Sequence, residues 1–167
     1  TCGMKGEKLS DYAELKRAGA IAVSDDGRPV ENYKVMREAL KKAEANDMLI
    51  ISHCEDLAII DGGIMNEGKI SRKLGVKGMD RLSENMITIR EMLLAYETNT
   101  RIHIAHVSTK ECVDAIRFAK SKGVKVTCET APHYFMLTDE KLLARDADFR
   151  MNPPLREKAD VQAILEG

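Results

Sequence analysis

A chain of 167 residues, 44% hydrophobic and 32% charged, is long enough and apolar enough for one domain with a real core. Lys and Arg number 26 against 27 Asp and Glu, a formal net charge of −1, so no basic field recruits nucleic acid or an anionic membrane surface. No apolar run approaches the ~20 residues of a membrane helix and the N-terminus carries no export signal, so a cytoplasmic protein is expected.

In chain order, residues 10 to 19 read as a helix capped by Ser10 and stopped by Gly19. The apolar run Ala20 to Ser24 reads as a strand, followed by Asp25-Asp26-Gly27. Tyr33, Met36, Leu40 and Ala43 recur every three or four residues and line one helical face. Met48 to His53 is a second strand. The segment from Leu57 to Arg81 holds five glycines and exceeds the usual connection length, which makes it a candidate functional loop. Met86, Ile89, Leu93 and Tyr96 line the next helix, and this face is expected to pack on the sheet. Arg101 to His106 is a third strand. Ser108-Thr109-Lys110-Glu111 then forms a capping box opening a helix that runs to Gly123. Val124 to Thr130 is a fourth strand, and after the Pro153-Pro154 break residues 157 to 166 form a last helix. The nine methionines fall mainly on the helical faces and are read as core. Cys2, Cys54, Cys112 and Cys128 lie far apart with no C-x-x-C pair, which points to reduced, mostly buried thiols.

Short strands alternating with helices predict an α/β fold with parallel strands, either an open doubly wound sheet or a piece of a (β/α)₈ barrel. A glycine-rich phosphate turn after a strand would favour the first, and none is present. Instead, Ser24-Asp25-Asp26, His53 and His106 each put a metal-capable side chain at the C-terminal end of a strand, where barrel enzymes keep their chemistry. By strand alternation His53 shares a face with Leu49 and Ile51, and His106 with Ile102 and Ile104, while His103 points the other way.

Neutral imidazoles on consecutive strands, with a carboxylate from Asp25 or Asp26, suit Zn²⁺. Spacing alone leaves other readings open. A histidine at a strand end is also an ordinary hydrogen-bonded packing residue, and Asp25-Asp26-Gly27 is also a solvated turn. Glu129 and His133, flanking Ala131-Pro132, are read first as structural. Met151-Asn-Pro-Pro-Leu-Arg156 is a rigid extended segment that would present Asn152 to a ligand or simply lead into a helix.

Taken together, Ser24-Asp25-Asp26-Gly27, His53-Cys54-Glu55-Asp56, His103-Ile-Ala-His106-Val-Ser-Thr109 and Asn152-Pro153-Pro154-Leu155-Arg156 resemble the type I dihydroorotases in order and spacing. Gly63-Ile-Met-Asn-Glu-Gly68 and Thr127-Cys-Glu-Thr-Ala-Pro-His133 extend the resemblance over nearly the whole chain. Hydantoinases and allantoinases usually carry a carboxylated lysine where this sequence has an aspartate, and they lack the asparagine before Pro-Pro-Leu-Arg.

The resemblance implies a distorted (β/α)₈ barrel of the metal-dependent hydrolase kind, with two zinc ions per complete site. Asp26 would bridge both ions, His53 and His106 would ligate the second, and Asn152 would hydrogen-bond the substrate ring. It also implies the reversible cyclisation of N-carbamoyl-L-aspartate to L-dihydroorotate in pyrimidine synthesis, a homo-oligomer, and association with an aspartate carbamoyltransferase. The family's His-x-His of strand one has no counterpart among His53, His103, His106 and His133, and the catalytic aspartate of strand eight has none either. The expectation is therefore a single domain over residues 1 to 167, an incomplete barrel of about strands four to seven that is inactive alone. The alternatives are a non-catalytic dihydroorotase-like subunit supporting a partner enzyme, and another cyclic amidohydrolase such as a hydantoinase.

Overall fold

The computed structural model describes all residues from 1 to 167. Helix α1 (Tyr12–Arg17) leads into strand β1 (Ala22–Ser24), helix α2 (Tyr33–Ala45) and strand β2 (Leu49–Ser52). A compact excursion follows, made of α3 (Leu57–Ile60), β3 (Met65–Asn66), α4 (Lys69–Leu74) and β4 (Gly78–Met79). The chain then resumes strand-helix units with α5 (Leu82–Thr98), β5 (Ile102–Ile104), α6 (Lys110–Ser121), β6 (Val126–Cys128), α7 (Pro132–Met136) and α8 (Lys158–Glu166). The main sheet has the order β1-β2-β5-β6, every pair parallel, with no hairpin among the four strands. This is the expected arrangement of consecutive barrel units, because parallel neighbours require a crossover and the helices supply it.

Helices cover one face of the sheet. Ile50, Ile102 and Ile104 are buried in one core with Met36, Leu40, Met92, Ala95 and Cys112 from α2, α5 and α6. The register pairs Ile51 with His103 and His103 with Thr127, so these three share the opposite face, the one turned toward a barrel interior. A hydrogen bond of 2.8 Å between His103 Nδ1 and Thr127 Oγ1 runs along it. The sequence-based assignment of faces on β5 is thus corrected: Ile102 and Ile104 face the helices, and His103 faces inward. His106 escapes the alternation altogether. The strand ends at Ile104, and His106 sits in a left-handed conformation at φ +39°, which re-aims its side chain independently of strand pleating.

Helix α2 follows its pattern at Met36, Leu40 and Ala43, which are buried, but Tyr33, expected on the same face, is exposed at the first position of the helix. Leu40 is fully buried, and covering a side chain of that size contributes about 1.5–3 kcal/mol. Helix α5 does not. Met86, Ile89, Leu93 and Tyr96, expected against the sheet, face outward, with Leu93 and Tyr96 63% and 64% exposed. The buried side carries Ser83, Glu84, Asn85, Thr88 and Glu91 beside Ile87, Met92, Leu94 and Ala95. Both faces are rich enough in apolar residues that periodicity could not choose between them. Five methionines, Met36, Met48, Met65, Met79 and Met92, are core, whereas Met4, Met86 and Met136 are exposed. All four cysteines are free thiols, Cys54 and Cys112 buried, Cys2 and Cys128 exposed.

Two caps also differ from expectation. Asp11, not Ser10, caps α1 by accepting from Glu14 N–H at 3.0 Å. Thr109, not Ser108, caps α6 by accepting from Cys112 N–H, which frees Ser108 for burial against Glu84. The segment from Leu57 to Arg81 is not irregular. Its strands β3 and β4 pair in parallel, and a Cβ on Gly63 would lie 2.3 Å from the Gly78 carbonyl oxygen. Glycine there is a condition of the close approach.

Candidate metal centre

The C-terminal ends of β1, β2 and β5 converge on one point. Asp26 follows β1 in a turn in which its N–H is accepted by Ser24 Oγ at 3.1 Å. His53 is the first residue after β2, and His106 lies two residues past β5. His53 Nδ1 and His106 Nε2 are 2.8 Å apart, with Asp26 Oδ1 at 3.6 Å from the first and 3.9 Å from the second. These three side chains form a group whose donor atoms all lie within 4.8 Å of one another. A tetrahedral zinc site with bonds near 2.0–2.1 Å has donors about 3.3 Å apart. The aspartate distances approach that value, and the two imidazoles need to part by about half an ångström. The donor set of two imidazoles and a carboxylate therefore fits Zn²⁺.

The two adjacent aspartates divide the work. Asp25, weighed as an alternative donor, is turned into the protein, where its carboxylate accepts His53 N–H at 2.8 Å and Val30 N–H at 3.1 Å. Burial raises the Asp25 pKa despite these hydrogen bonds, whereas Asp26 stands exposed beside the histidines. Asp25 thus fixes the backbone of His53 while Asp26 faces its ring.

The environments of the histidines differ. His53 is 3% exposed. Burial alone would lower its pKa, but Glu55, Asp25 and Asp26 together raise it. His106 is lowered, first by burial and then by His53, which favours the neutral, ligating form of the ring. Its backbone N–H is held by Glu129 Oε1 at 2.9 Å, so Glu129, read as structural, orients the strand end that carries His106.

Glu55 received no individual role from the sequence. It is buried, its Oε2 lies 3.2 Å from His53 Nε2, and its Oε1 accepts from Asn152 Nδ2. Burial pushes its carboxyl up, and its bonds to His53 and Asn152 more than offset that, leaving the pKa lowered. The only hint was its position two residues after His53 in the His-Cys-Glu-Asp motif. Asn152 is thereby brought to the edge of the cluster. His133, half-buried on α7 with its ring against Tyr134, and His103, on the inner sheet face, are not part of it.

Behind the cluster, Glu84 accepts from Ser108 N–H at 2.8 Å, from Ser108 Oγ, and from Arg156 Nη2 at 3.1 Å. Arg156 also donates to Asn66 Oδ1 at 2.9 Å. This buried network ties the His106 strand end, the Asn152–Arg156 segment and the β3-β4 excursion to α5.

Strand ends bearing a carboxylate and two histidines, on a parallel sheet covered by helices, follow the layout of a (β/α)₈ barrel, whose functional side chains sit at the C-terminal ends of the strands. The chain overlays on D-hydantoinase from Bacillus sp. AR9 with a TM-score of 0.77 at 21% identity, covering 95% of this chain and 38% of that one. The dihydropyrimidinase of Brevibacillus agri gives 0.75 at 21% identity, over 91% and 35%. These likenesses make the fold part of a (β/α)₈ barrel. A family model described as dihydro-orotase-like matches residues 1–112, and the chain belongs to that family. Dihydroorotases from Desulforapulum autotrophicum and Pelobacter propionicus are 50% and 53% identical to it over all 167 residues. The chain spans 39% of the length of each. No helix is long and apolar enough to cross a membrane.

Proposed function

We propose that this chain is the strand-four to strand-seven part of a dihydroorotase, which interconverts N-carbamoyl-L-aspartate and L-dihydroorotate with zinc held at the strand ends. The observation that carries the reading is the convergence of Asp26, His53 and His106 from three consecutive strands. It is supported by about 50% identity to dihydroorotases over the whole chain. Bound zinc supplies Lewis-acid polarisation of the ring amide and acidifies water near neutral pH. Asp26, His53 and His106 hold it, Asp25 and Glu129 fix the backbones of the two histidines, and Asn152 offers its amide to the substrate ring. In the same reading, the remaining zinc ligands and the proton-shuttling aspartate come from barrel strands outside these residues, so the 167 residues alone neither turn over substrate nor hold two zinc ions.

The test is zinc stoichiometry and dihydroorotate hydrolysis in the complete enzyme. Wild type is expected to hold two zinc ions and open dihydroorotate. Asp26→Ala or His106→Ala is expected to lose zinc and cut turnover by at least about 10³-fold, since an opened coordination shell no longer fixes the metal. Hydrolysis of hydantoin in preference to dihydroorotate, or full zinc content in both variants, would overturn the reading.

A further inference from the structure

The two oxygens of the Glu55 carboxylate serve two different partners. Oε2 faces His53 Nε2 at 3.2 Å, and Oε1 accepts from Asn152 Nδ2, 97 residues away in sequence. Glu55 is 7% exposed and its bond to His53 is buried, while the bond to Asn152 reaches an exposed side chain at the edge of the cluster. Its backbone is held as well: the next residue, Asp56, donates its N–H to Ser83 Oγ at 2.8 Å and accepts from that hydroxyl at 3.0 Å, which anchors this turn to the start of α5.

An ionised carboxylate only accepts, so His53 Nε2 must carry the hydrogen in that bond, and in the neutral ring the lone pair is then on Nδ1. Nδ1 is the atom that faces His106 and Asp26. The same carboxylate holds the amide plane of Asn152 through its NH₂ group, leaving Asn152 Oδ1 free to accept. A carboxylate behind a metal-binding histidine raises ligand basicity and fixes ring orientation. Here it also grips a residue from the opposite end of the chain.

We infer that Glu55 is a positioning residue that fixes the His53 tautomer and the Asn152 amide together, so that metal affinity and substrate affinity share one carboxylate. This rests on the dihydroorotase reading, in which His53 is a zinc ligand and Asn152 contacts the ring. The shared carboxylate makes the two affinities fall together. Glu55→Ala releases both partners. Glu55→Gln has nearly the same shape but one acceptor oxygen, so it serves His53 or Asn152 and presents an NH₂ group to the other. Asn152→Ala removes one partner and leaves the His53 bond intact.

The experiment uses the complete enzyme as wild type, Glu55→Ala, Glu55→Gln and Asn152→Ala. Zinc affinity is measured without substrate by chelator competition, and kcat and KM are measured with dihydroorotate on zinc-loaded protein. Glu55→Ala is expected to weaken zinc binding by about 10–100-fold, the usual effect of losing such a partner, and to raise KM by about tenfold or more. Asn152→Ala is expected to raise KM with zinc affinity within about twofold of wild type, since its side chain lies on the far oxygen of Glu55. Glu55→Gln, which keeps volume and fold, is expected to impair at least one of the two quantities. The inference is overturned if zinc affinity and KM stay within twofold in both Glu55 variants, or if only one of them moves in Glu55→Ala. A wild-type enzyme that binds no zinc or leaves dihydroorotate intact would instead sink the underlying functional reading, which separates the two failures.

Discussion

Helices α2 and α5 lie side by side over the same sheet and solve opposite problems. On α2 the apolar stripe Met36, Leu40 and Ala43 points inward and the charged residues point out. On α5 the outward stripe is Met86, Ile89, Leu93 and Tyr96, while Glu84, Asn85, Thr88 and Glu91 are buried. The inward polar groups are almost all satisfied: Glu84 by Ser108 and Arg156, Asn85 by Thr109 and Cys112, Thr88 by Cys112. Helix α2 covers a sheet. Helix α5 holds the loops that carry the site, and loops need hydrogen-bond partners that an apolar face cannot offer.

The largest test of this contrast is Glu84→Ala. It leaves Arg156, 3% exposed, without its carboxylate and strips Ser108 of its acceptor, so a loss of about 3–5 kcal/mol is expected in denaturant unfolding. A loss below about 1 kcal/mol would mean that the network does not hold α5 in place. Next is Leu40→Ala on α2, where a fully buried side chain leaves a cavity; about 3 kcal/mol is expected by the same measurement.

Third comes Glu91, buried on the inward face with Arg90 donating to one oxygen and the other without a partner. Burial is the main cause that pushes its pKa up to about 7, with Arg90 opposing and Asp25 adding to the rise. Raised above the usual 4.5, the folded carboxyl binds a proton that the unfolded chain releases. Stability should therefore be highest below about pH 4.5 for this group and fall through about pH 7, by on the order of 2–3 kcal/mol. Glu91→Gln should flatten that part of the stability profile. An unchanged slope would mean that Glu91 is not its source. The smallest effect belongs to Leu93→Ala, the same residue type as Leu40 on the outward stripe of α5, with about 0.5 kcal/mol or less expected. A cost equal to that of Leu40→Ala would reveal a covering surface.

The parallel strands and the two converging histidines were legible because they depend on coarse properties: alternation of short apolar runs with helical segments, and metal-capable residues at strand ends; the choice of Asp26 over Asp25 came only with the family resemblance. What was not legible depends on choices that periodicity leaves degenerate. The faces of α5 are one example, since an apolar stripe and a half-polar stripe compete and the winner is decided by distant partners such as Arg156. The faces of β5 are another, because Ile102, Ile104 and His106 fall on one parity, yet the chain leaves the strand before His106 and parity no longer applies. The excursion between α3 and β4 went unread because its strands are two residues long, below what any pattern resolves. Glu55 was hidden for a different reason. Its role comes from a contact across 97 residues, which a local motif does not encode.

The left-handed backbone at His106 carries one more consequence, for protein engineering. At φ +39° an L-residue with a bulky side chain sits about 1 kcal/mol or more above glycine, and asparagine or aspartate fall between. A redesign guided by thermostability alone would therefore rank this histidine among the first positions to replace, and would choose glycine. If His106 is the zinc ligand proposed above, fold and chemistry want different residues at position 106, and the imidazole stands there at the expense of the backbone.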